Sequence, residues 1–106
     1  MVGCVNTDVV KLSSAPENLS PTSPSTVEVY RDTTTVECPY KGIAVIDTRG
    51  TSSTIDNDDM VETAKETAAE LGGNGLVLKG FETAEIFLGT EPKGKYLAIY
   101  EDRPCN

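Results

Sequence analysis

The chain reads as an α+β domain of order β-β-α-β-β, with about four strands in one sheet and a single helix packed on one face. Three features of the sequence predict this. An amphipathic stretch runs from Asn57 to Leu71, and a glycine stop with a turn, Gly72-Gly73-Asn74-Gly75, follows it directly. Beyond the turn lies the apolar run Leu76-Val77-Leu78, and further apolar or alternating runs occur at 26–31, 43–46 and 96–100. The 106 residues suffice for one modest core and not for two.

Residues 1–25 are expected to be an N-terminal tether, extended or disordered, and residues 26–106 a single α+β domain. From Val5 to Ser25 the chain is rich in Ser, Thr, Pro and Asn, and Pro16, Pro21 and Pro24 are spaced so that no helix can persist. The apolar knot Val9-Val10 with Leu12 is the one part expected to lie against the domain. Thr26 to Arg31 reads as a strand with Val27 and Val29 on one face. Asp32 to Gly42 reads as a loop, Ile43 to Ile46 as a strand buried on both faces or central in the sheet, and Asp47 to Thr54 as a polar loop.

The helix begins where Asp56 or Asn57 can accept from the free N–H groups of the first turn, with Asp58 and Asp59 at the positive end of its dipole. Met60, Val61, Ala64, Ala68 and Leu71 share its apolar face. Leu76 to Phe87 reads as a long strand with a bend or bulge at Gly80, and Tyr96 to Tyr100 as the last strand. The first two strands are expected to pair through the loop after Arg31, and the last two to form a hairpin around Glu91-Pro92.

Composition narrows the function. Nine basic against 17 acidic residues leave a net charge of -8, which speaks against nucleic acid, whose binding rests on Lys and Arg neutralising phosphates. The absence of histidine removes Ser-His and Cys-His couples and histidine metal sites. No run approaches the roughly 20 apolar residues of a membrane-spanning helix. Asp56, Asp58 and Asp59, with Asp47 upstream, form the densest carboxylate group; the glycine of a calcium loop is missing, and capping accounts for them more simply. Glu82 and Glu85 read as surface charge on a strand. Cys38 lacks a base, and the neighbouring Glu37 raises rather than lowers a thiol pKa. No catalytic residue, metal site or cofactor is expected, and the chain is not expected to be an enzyme.

Val2-Gly3-Cys4 resembles the end of a bacterial lipobox, which implies Cys4 as a lipidation site; an ordinary cysteine near an N-terminus is the alternative. With Val5 rather than aspartate after Cys4, enterobacterial sorting by analogy favours the outer membrane. Cys38 and Cys105 remain as a pair. In an oxidising compartment their bond would close a loop of about 66 residues and be worth about 4 kcal/mol, and two free thiols are the alternative. Tyr30, Tyr40, Tyr96 and Tyr100 are candidates either for an exposed partner surface or for core positions with the hydroxyl at the rim.

PTSP at Pro21 to Pro24, VEVY at Val27 to Tyr30, YKGIAVID at Tyr40 to Asp47 and AAELGGNGLVLKGFE at Ala68 to Glu82 carry a wider resemblance. The chain resembles small bacterial envelope lipoproteins, the family that includes the sensor of the Rcs stress pathway, and more loosely YbjQ-like domains regarded as metal-binding oligomers. The first resemblance implies the soluble domain of an outer-membrane lipoprotein facing the periplasm. It would be non-catalytic, would touch the membrane only through Cys4, and would bind an envelope protein or sense envelope state. The second implies a metal-binding oligomer as the alternative.

Overall fold

The computed structural model describes residues 5–13, 15, 19–50, 56–86, 89–103 and 105. Its elements are β1 (Val5–Lys11), β2 (Glu28–Tyr30), β3 (Tyr40–Gly50), α1 (Asn57–Glu70), β4 (Gly75–Ile86) and β5 (Gly89–Glu101), with short 3-10 turns at Pro24–Thr26 and Thr33–Thr35. The fold is α+β, one helix on a five-stranded sheet of order β1-β3-β5-β4-β2. β3 pairs antiparallel with both β1 and β5, and β4 pairs antiparallel with β5 and parallel with β2.

Side-chain size explains the layer of helix on sheet. Ala64, Ala68 and Ala69 of α1 meet Ala44 of β3 and Ala98 of β5, so the helix axis lies close to the sheet. Ile43, Ile46, Leu76 and Tyr96 fill the space around them. The helix starts as expected. Asp56 accepts from the Asp59 N–H at 3.0 Å, and the Asp59 carboxylate accepts from the Asp56 N–H at 3.2 Å, a reciprocal capping box. Asp56→Ala is expected to lower stability by about 1 kcal/mol in urea titration, with Asp56→Asn close to neutral. Gly72, at φ 89°, supplies the left-handed residue that ends the helix.

The structure revises four expectations. First, residues 1–25 are not all spacer. Val5–Lys11 forms an edge strand, Leu19 packs against the core, and Thr22 donates its N–H to Ala69 and its hydroxyl to Gly73. An edge strand buries little, so its polar composition resembles that of a linker. Second, β2 does not pair with β3. It lies parallel to β4 at the far edge, because β1 and β5 take both edges of β3.

Third, β3 runs on to Gly50, so half of the expected polar loop is strand, with Thr48 buried inside. Fourth, the last hairpin does not turn at Glu91-Pro92. Ile86 faces Gly89, and Pro92 lies within β5 opposite Thr83. The ladder alternation directs the nitrogen of residue 92 towards β3, whose pairing with β5 ends at Arg49 and Lys93. Proline there removes no ladder bond. The bulge expected at Gly80 is present, between Leu78 and Gly80.

Candidate functional site

Cys38 and Cys105 are joined by a disulfide, their Cα atoms 5.5 Å apart. The bond ties the loop between β2 and β3 to the segment after β5 and forms one wall of an open depression of about 460 Å³ lined by Glu28, Tyr30, Thr35, Glu37, Glu101 and Arg103. Glu101 is at its centre. β5 ends there, its side chain is only 2 % exposed, and its carboxylate accepts from the Tyr30 hydroxyl at 2.6 Å and from Arg103 Nε at 3.0 Å.

Asn74, in the turn after α1, holds the backbone of the same residue. Its side-chain amide donates to the Glu101 carbonyl at 2.8 Å and accepts from the Glu101 N–H at 2.7 Å, as a strand neighbour would. Arg103 closes the assembly. Its guanidinium also donates to the carbonyl of Asn74 and lies 3.8 Å from the Glu28 carboxylate. Strand end, helix-to-strand turn and tail are thereby fastened in one clasp.

Tyr30 shows the electrostatics of this site. Burial, and then its hydrogen bonds to the carboxylates of Glu101 and Glu28, raise the phenol well above the usual tyrosine range, because ionisation would put a third negative charge beside them. The folded state therefore holds the tyrosine proton more tightly than the unfolded chain does. Stability from this source is fully present below about pH 10 and is lost as pH rises through the raised value. Tyr30→Phe is expected to flatten part of the alkaline arm of a stability-against-pH curve. Part of the slope will remain, since burial also raises Tyr96.

The four tyrosines do not form one surface. Tyr96 is fully buried and shares a 2.9 Å hydrogen bond with Thr48, so it cannot belong to a partner surface. Tyr30 is half-buried in the clasp. Tyr40 and Tyr100 are 37 % and 38 % exposed. Tyr40 stands opposite Glu101, the residue after Tyr100, so the alternation along β5 places these two rings on opposite faces of the sheet.

Cys4 lies outside the described residues, as does the side chain of Glu85. Glu82 is exposed, and Asp56 and Asp59 are engaged in the cap. Among the described residues, no three His, Cys, Asp or Glu side chains gather as metal ligands, and no helix is long and apolar enough to cross a membrane. A second depression of about 450 Å³, at the other end of the sheet, is lined by charges of both signs, among them Asp8, Asp47, Lys79, Lys93 and Lys95. The sequence does not point to Asn74, Glu101 or Arg103 as site residues. Asn74 is 27 residues away from Glu101, and none of the three belongs to a recognisable motif, so nothing local marks them.

No protein-family model matches the chain, and no curated protein matches it. Among solved structures, the crystal structure of the Francisella virulence factor FvfA in its orthorhombic form is similar in fold. The TM-score is 0.56 at 18 % identity, over 89 % of this chain and 97 % of that one. At that identity the likeness extends to the fold alone.

Proposed function

We propose that this chain is the soluble domain of a bacterial envelope lipoprotein that binds an envelope protein or senses envelope state, without catalysis. The observation that carries this reading is the Cys38–Cys105 bond. Disulfides of this kind persist in the periplasm and outside the cell and are rare in the cytosol. With two cysteines bonded to each other, Cys4 is left for another role, and Val2-Gly3-Cys4 suits a lipid anchor. The clasp supports a binding role over a chemical one: Glu101 is committed to Tyr30 and Arg103, and Cys38 is committed to Cys105.

The test is fractionation of cells that express the full gene with its native signal. The protein is expected in the membrane fraction, Cys4→Ser is expected to release it, and thiol counting by mass spectrometry is expected to find Cys38 and Cys105 bonded. Wild-type protein in the cytosolic fraction with three free thiols would defeat the proposal.

A further inference from the structure

The two edges of the sheet are unlike. β2 is three residues long and lies between two 3-10 turns, so it offers little for another strand to follow. β1 has seven residues, no proline and no bulge. The Leu12 N–H donates to the Ile43 carbonyl at 3.0 Å, in the same register as the β1–β3 ladder. The hydrogen-bonded pairs are therefore those of the even-numbered β1 residues, and Val5, Thr7, Val9 and Lys11 turn their N–H and C=O groups to the open edge. On the two sides of that edge, Val9 is 38 % and Val10 60 % exposed.

We propose that this edge pairs with β1 of a second copy of the same chain, antiparallel about a two-fold axis through Thr7, giving a continuous ten-stranded sheet. Self-complementarity argues for this occupant. Centred on Thr7, the outward-pointing residues meet as hydrogen-bonded pairs: Thr7 with the partner's Thr7, and Val5 with the partner's Val9. On the other face Asn6 meets the partner's Asp8, twice by symmetry.

That last pairing answers a local imbalance. Asp8 stands directly opposite Asp47. Asp47 has Lys95 on its other side, whereas Asp8, on the edge strand, has no strand beyond it among the described residues. Neither carboxylate has a hydrogen bond or ion pair among the described residues. The partner's Asn6 would bring an amide donor to Asp8. The two registers shifted towards the C-terminal end of β1 do worse. Centring on Asp8 would put two carboxylates face to face in a close-spaced pair, and centring on Val9 would set Asp8 against Val10. Five paired residues make a small interface, so the dimer is expected to be weak, with a dissociation constant on the order of 100 µM.

Sedimentation equilibrium of the 106-residue chain with Cys4→Ser tests the association. A monomer–dimer equilibrium is expected, and Thr7→Pro is expected to weaken it at least about tenfold, because the Thr7 N–H points outward and its loss leaves the β1–β3 ladder intact. Thr7→Lys should do the same by opposing two ammonium groups across the axis, and its unchanged circular dichroism would show that the monomer still folds.

Register is read by oxidation. Cysteine introduced as Thr7→Cys would face its own copy at a Cα separation of about 5.5 Å, within disulfide reach, so it should cross-link. Val9→Cys should not, because it faces the partner's Val5. A chain that stays monomeric to about 1 mM, a dimer that tolerates both Thr7 substitutions, or cross-linking that is equal at positions 7 and 9 would each overturn the proposal.

Discussion

Replacing Cys38 and Cys105 together by alanine is expected to lower the free energy of unfolding by about 4 kcal/mol and the midpoint temperature by about 20 °C. The figure follows from the sequence separation of 67 residues, since most of the conformational freedom the bond removes is freedom of the unfolded chain. The folded state gives a second reason to expect a large effect. The segment the bond anchors carries few buried side chains of its own. Between Arg31 and Pro39 only Thr33, Val36 and Cys38 are even partly buried, and the Asp102 N–H reaches it through the Pro39 carbonyl. Urea titrations of the oxidised protein, the reduced protein and the double variant measure the effect. A loss below about 1 kcal/mol would mean that loop and tail are held without the bond.

Arg103→Ala is expected to destabilise the fold by about 3 kcal/mol, which is large for a residue so close to the end of the chain. The reason is Glu101, whose buried carboxylate would keep Tyr30 but lose its positive neighbour, while the Asn74 carbonyl would lose the guanidinium donor. Arg103 is partly exposed, so water offsets some of the loss and the estimate lies at the low end for a broken buried pair. Glu101→Gln combined with Arg103→Ala should lose less than the two single changes added, because the neutral amide does not need the guanidinium. Strict additivity in that double-mutant cycle would show that the two side chains do not act as a pair.

Much of the helix half of the fold is legible in the sequence. The capping carboxylates at Asp56 and Asp59, the alanine-rich face and the glycine stop are all local patterns, and local hydrogen bonding enforces them whatever the rest of the chain does. The long strand with its bulge at Gly80 is equally readable. The pairing of the strands is not, because an alternating strand shows which face is apolar and is silent about which neighbour lies at either edge. β1 is the hardest to read. At an edge a strand needs only one backbone partner and little apolar burial, so Val5–Lys11 has the composition of a tether.

The candidate site divides the same way. The possibility of a Cys38–Cys105 bond is visible from a cysteine count, whereas the clasp of Tyr30, Asn74, Glu101 and Arg103 is not. By itself the sequence determined one α+β domain, with its helix start and stop and its histidine-free, acidic chemistry, since each of these rests on neighbouring residues or on composition. Only the tertiary structure decided that β1 and β2 take the two edges, that Tyr96 is buried while Tyr40 and Tyr100 face opposite ways, and that Glu101 finds its cation. Those outcomes depend on which distant backbone groups satisfy one another, and that competition is settled only when the whole sheet has formed.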